Sequence, residues 1–188
     1  MQGLGLPVNL QIYVNPRDQR KAEELFRRCP EIMRKAYERG ARRFAEILLR
    51  IVKTALATGN PPPGSGVSWP PLSPKTLKVY KSWGYEGAHP WYVLGQMYRR
   101  AGVYATRQKR NVYVGFPQGV KAVHPGNIRG NLNSRFTLKK LATILEHGTA
   151  RIPPRPLFKP SFRAAGGKER LSRFIVEELR KEFRKYTH

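Results

Sequence analysis

The chain has 188 residues, 40% of them hydrophobic and 11% aromatic, so it can bury the core of one domain, and wholesale disorder is excluded. Its 36 Lys and Arg against 12 Asp and Glu leave a net charge of +24, beyond what solubility needs. Such an excess points to a polyanionic partner, with a solvated basic surface as the alternative.

A single cysteine, Cys29, rules out an internal disulfide and a four-thiolate zinc site within one chain. No segment reads as a signal peptide, and no apolar run approaches the roughly 18 residues of a membrane span, so a soluble, cytosol-made protein without a membrane partner is expected. The charge is uneven. Residues 1–60 carry 12 basic and 6 acidic groups, residues 61–166 carry 17 and 2, and residues 167–188 carry 7 and 4. The middle segment is the basic part, and its helical flanks have mixed signs.

In chain order, residues 8–14 begin with apolar and polar positions in alternation, the period of a half-buried strand expected to join the main sheet. Asn15-Pro16 reads as an N-cap and first helical position, opening a helix that Pro30 is expected to interrupt. A longer helix follows from Glu31, with Ile32, Met33, Ala36, Tyr37, Ala41, Phe44, Ala45, Leu48, Ile51, Val52 and Ala55 recurring at spacings of three and four. Arg34, Lys35, Arg39, Arg42, Arg43, Arg50 and Lys53 fall mostly on its other faces, as on a solvated helix; a binding stripe is the alternative.

Residues 60–72, rich in Pro and Gly, form a loop. Ser73-Pro74 caps a short helix carrying Leu77 and Tyr80, closed by Trp83-Gly84. Trp69, Trp83 and Trp91 could stack on bases, but tryptophans among Pro and Gly more often close a core beneath a loop. Residues 101–116 read as a hairpin whose tip, Arg107-Gln108-Lys109-Arg110, concentrates positive charge for an anion or for water. Residues 117–136 form a long basic loop with Lys121, Arg129 and Arg135.

Leu138, Leu141, Ile144 and Leu145 mark a short amphipathic helix ended by Gly148, whose missing Cβ permits a left-handed C-cap. The chain then leaves rigid and extended through its prolines. Gly166-Gly167 offers a hinge, and a last helix carries Leu171, Phe174, Ile175, Leu179 and Phe183. That helix packs on the sheet or on a neighbouring subunit, which the pattern leaves open. The fold class expected is a single α+β domain over residues 1–188: a small antiparallel sheet against a long N-terminal helix and a C-terminal helix, with long loops.

Catalytic constellations are not found. Gly167-Lys168 is no P-loop, because Phe162 stands where the first glycine belongs and Glu169 follows the lysine. His89, His124, His147 and His188 lack metal-ligand spacing. Cys29 with His147 is a conceivable nucleophile pair, but a lone cysteine after a helix more often serves as a small hydrophobe. Only Glu86 and Glu146 are acidic between residues 61 and 166, and the charge of Glu146 near a helix C-terminus calls for a basic partner such as Arg151 or Arg155. The expectation is a protein that is not an enzyme and has no cofactor and no metal.

Three segments carry a resemblance. Leu145-Glu146-His147-Gly148-Thr149, running on into Ile152-Pro153-Pro154-Arg155-Pro156-Leu157-Phe158, resembles the signature segment of the phage virion-morphogenesis, tail-completion and head–tail joining family. Leu157-Phe158 stands where Phe-Leu is usual. Trp69-Pro70-Pro71-Leu72-Ser73 with Thr76 resembles a second element of that family, and Leu94-Gly95-Gln96-Met97 a third, here without the family's threonine. The likeness spans roughly residues 65 to 165, in the family's order.

The resemblance implies a structural virion protein: a neck or tail-completion subunit forming a homo-oligomeric ring at the head–tail junction around the DNA path. It would be assembled in the host cytoplasm, with connector or tail-tube proteins as its neighbours. Arg107, Lys109, Arg110, Lys121, Arg129 and Arg135 are the candidates for facing DNA or an acidic partner. Ile152, Pro153, Pro154, Arg155, Pro156 and Phe158 are the candidates for subunit contact, a stiff element whose alternative role is to carry the chain across the sheet. Trp69, Leu72, Ser73, Gly95, Glu146, Gly148 and Thr149 complete the motif. The competing expectation is a free-standing, non-specific nucleic-acid-binding protein, bound through phosphates.

Overall fold

The computed structural model of the chain describes residues 16–82, 84–85, 87–91, 96–105, 112–121 and 137–185. It is α+β as expected, mostly helical with one two-stranded antiparallel sheet. The elements are α1 (Pro16–Thr58), α2 (Pro74–Ser82), α3 (Gln96–Arg100), β1 (Gly102–Ala105), β2 (Val112–Gly115), α4 (Leu138–His147), α5 (Phe158–Ala164) and α6 (Gly167–Arg184). The strand expected at residues 8–14 lies outside the described residues.

Pro30 does not interrupt α1, which runs through it for 43 residues. An interior proline removes one backbone donor and crowds the carbonyl four residues back, here that of Phe26, at a cost of about 3 kcal/mol. Pro30 and Phe26 are both exposed, so the bond is lost on the solvent side. Burial of Ile32 and Ala36 immediately beyond carries the helix on. Burial in the tertiary structure overrides the local breaker.

α6 packs antiparallel along α1, rather than on the sheet, which is one of its two expected places. Arg39 pairs with Glu182, and Arg43 reaches Glu178 at 2.9 Å and Glu177 at 3.0 Å. The Arg43 guanidinium also lies 4.4 Å from the Phe174 ring centre, a cation–π contact. The two backbones nearly touch: a Cβ on Gly40 would sit 2.8 Å from the Ile175 Cα and N. The solvated-face reading is therefore corrected for Arg39 and Arg43, which hold the helix pair together. Arg34 and Lys35 do stay on the outer side, paired with Glu38 and Glu31 of their own helix. A hydrogen bond from Lys181 holds the Glu178 carboxyl below the usual carboxylate range, against the opposing effect of burial and with help from Arg43. Lys185 does the same for Glu182, aided by Arg39.

The C-terminal half of α1 meets the sheet. β1 and β2 pair in the register Val103 with Val114 and Tyr104 with Tyr113, and those two tyrosine rings stack at 5.4 Å. Val52, Ala55 and Leu56 of α1 join Trp91, Met97, Phe116, Leu138, Leu145 and Leu157 in one core. Burying a side chain such as Leu157 contributes about 2 kcal/mol. Lys121 bridges to Thr137, and the Leu138 N–H donates to the Val120 carbonyl at 2.8 Å, so α4 starts beside the end of the segment after β2.

Candidate interaction surface

α4 begins where Thr137 accepts the Lys140 N–H at 3.2 Å and ends at Gly148. Gly148 has φ +74° and ψ −177°, an extended positive-φ conformation open essentially to glycine alone, rather than the left-handed helical cap expected. Its N–H still closes the helix onto the Ile144 carbonyl at 2.8 Å. A Cβ there would lie 2.8 Å from both the Ile152 O and the Pro154 N. Thr149 shapes the turn that follows: its hydroxyl accepts the N–H groups of Arg151 and Ile152, at 3.3 and 3.1 Å.

Glu146 does not pair with Arg151 or Arg155. Its carboxylate accepts three backbone N–H groups at the start of α5, from Leu157 at 2.6 Å, Phe158 at 3.1 Å and Lys159 at 3.2 Å. The charge that is unfavourable at the end of α4 is favourable at the N-terminus of α5, where amides and helix dipole both receive it. α5 itself was not expected from the sequence. Pro160 discourages a helix reading, yet a proline in the first turn costs little because the N–H it lacks has no partner there.

Arg155 is only 3% exposed, its guanidinium surrounded by backbone carbonyls at the edge of a cleft. Its Nε donates to the Pro70 carbonyl at 3.0 Å, Nη2 to Pro71 at 2.9 Å and Nη1 to Pro153 at 3.5 Å. Burial pushes its pKa down, partly offset by Tyr80. Its own backbone is held too, the N–H by Leu145 at 2.7 Å and the carbonyl by the Trp91 indole at 3.2 Å. The Trp69 indole donates to the Pro156 carbonyl at 2.9 Å. The tryptophans at 69 and 91 thus close the core, as expected, with ring centres 6.4 Å apart; Trp83 lies outside the described residues.

The subunit-contact candidates therefore divide. Ile152, Pro153 and Pro154 are exposed, Pro156 and Phe158 are half-buried, with Phe158 meeting Trp91 and Phe116 edge-on, and Arg155 is taken into the interior. Ser73 caps α2 as expected, accepting the Thr76 N–H at 3.2 Å. Of the six basic candidates only Lys121 is described, and it is exposed. Arg107, Lys109, Arg110, Arg129 and Arg135, with Gly95, lie outside the described residues.

Two clefts flank this knot. One, of about 600 Å³ between β2, α4 and α5, has exposed Lys139, Lys159 and His147 around Phe116 and Phe158. The other, of about 310 Å³, lies between the α2 cap and the turn after α4, with Leu72, Leu141, Ile152, Arg151 and Arg155 along it. Among the described residues, no group of three or more His, Cys, Asp or Glu side chains is placed to hold a metal ion. No helix there is long and apolar enough to cross a membrane. Searches against family models, curated proteins and solved structures match nothing.

Proposed function

We propose that the chain is a structural virion protein, a neck or tail-completion subunit that forms a ring at a phage head–tail junction around the DNA path. One observation carries most weight. The two described segments that resemble the family meet in a single knot, with Trp69 on Pro156 and Arg155 on Pro70 and Pro71. Residues that look like a motif in the sequence thus interlock in space, although more than 80 positions separate them. The exposed Ile152-Pro153-Pro154 turn beside the knot offers a stiff surface to an adjacent subunit or to connector and tail-tube proteins, because little conformational entropy is lost on docking it.

The second reading, a free-standing non-specific nucleic-acid binder, is favoured by the +24 charge alone. Mass in solution at moderate and high salt, with nucleic acid removed, separates the two. A discrete ring that persists in high salt, or forms only with a tail-tube partner, is the expected result. A monomer that shifts only with DNA, and loses the shift as salt rises, would replace the ring reading with the binder.

A further inference from the structure

Arg155 is a buried guanidinium with no counter-carboxylate among the described residues. An arginine has five N–H donors, and Arg155 spends three on carbonyls, one of them at the long distance of 3.5 Å. One N–H on each terminal nitrogen is left without an acceptor among the described residues. Neutral carbonyls solvate a cation in part, but a desolvated charge lacking an ion of opposite sign remains costly. Arg155 borders the 310 Å³ cleft, and Arg151, exposed and without an ion pair among the described residues, stands at the same cleft. Leu72, Leu141 and Ile152 supply apolar wall.

We propose that this cleft is a docking site for an acidic segment of a partner polypeptide, one carboxylate side chain seating on Arg155 and Arg151 and an adjoining aliphatic side chain against Leu72, Leu141 and Ile152. A carboxylate matches the planar donor fork of arginine at two points and is strengthened by low local polarity. A nucleic-acid backbone fits less well, because it is tracked by open rows of exposed cations, and the principal cation here is nearly enclosed. A second copy of the chain is also a poor donor. Most of its described carboxylates are engaged, Glu24 with Arg28, Glu31 with Lys35, Glu38 with Arg34, and Glu177, Glu178 and Glu182 across the α1–α6 pair. The cleft's chemistry does not depend on which assembly the chain joins.

The test uses the full chain, reading the Arg155 Nε–Hε resonance while a blocked leucine–glutamate–leucine tripeptide is titrated in. The controls are the same peptide with glutamine, inorganic phosphate, and Arg151→Ala protein. The glutamate peptide is expected to shift the resonance saturably, the glutamine peptide to bind at least about ten-fold more weakly, and Arg151→Ala to weaken the glutamate peptide several-fold. Arg151 is exposed, so its variant keeps the fold, and Arg155 itself is left intact. No shift, equal binding of both peptides, or phosphate saturating the site as tightly as the glutamate peptide would overturn the proposal. Dissociation of a pre-existing oligomer by Arg151→Ala would also overturn it, and would assign the cleft to a second copy. The head–tail reading is judged separately, by the mass measurement.

Discussion

The Glu146 carboxylate receives the Leu157 N–H at 2.6 Å, so a residue in the last turn of α4 caps the start of α5. The bond closes a loop of prolines between two helices, and it fixes the position of Arg155 between them. Glu146→Ala leaves three amide donors at a helix start without an acceptor and is expected to cost about 2 to 3 kcal/mol, read as a lower urea midpoint at unchanged slope. Glu146→Gln keeps one acceptor oxygen and should cost about half as much. Equal stability of all three proteins would show that the cap carries no energy.

Gly148→Ala meets two obstacles: a conformation that L residues rarely adopt, and a Cβ 2.8 Å from backbone atoms of Ile152 and Pro154. Backbone cannot yield as a flexible side chain can. A loss of about 3 kcal/mol or more is expected, seen as a drop in thermal midpoint or as insoluble protein. A loss below about 1 kcal/mol would mean that the turn relaxes freely.

Acid should loosen the α1–α6 pair. The Glu178 and Glu182 carboxyls are held low in the folded chain by Lys181 and Lys185, with Arg43 and Arg39. The stability this gives is present above the unfolded carboxylate value of about 4.3 and is lost as pH falls from there through the lower folded values. Thermal midpoints measured from pH 6 to pH 3 should therefore fall more steeply in the natural protein than in the Glu178→Gln, Glu182→Gln double variant. Parallel curves would remove these carboxyls from the acid response.

Pro30→Ala should stabilise the chain. The substitution restores the N–H that can reach the Phe26 carbonyl at an exposed position inside α1 and removes the ring's crowding, for a gain of about 1 to 3 kcal/mol, less what proline saves by restricting the unfolded chain. Calorimetry would register a higher midpoint. A lower one would show that α1 is adapted to its proline.

Periodicity and punctuation were sufficient for the local elements. The apolar spacing from Ile32 to Ala55, the Ser73-Pro74 cap, the paired β-formers around residues 107–110 and the Gly148 stop depend on neighbours a few residues away, and the sequence displays those neighbours directly. The destinations of charged groups were decided only by tertiary structure. Pro30 stays helical because residues beyond it are buried, Glu146 faces the next helix rather than an arginine, and Arg39 and Arg43 meet acids more than 130 positions along the chain. Arg155 looks like a surface residue among prolines until Pro70 and Pro71 are brought against it. A charge reveals its sign in the sequence, but its partner is chosen by whatever the folded chain brings within about 3 Å, and that distance is set by packing.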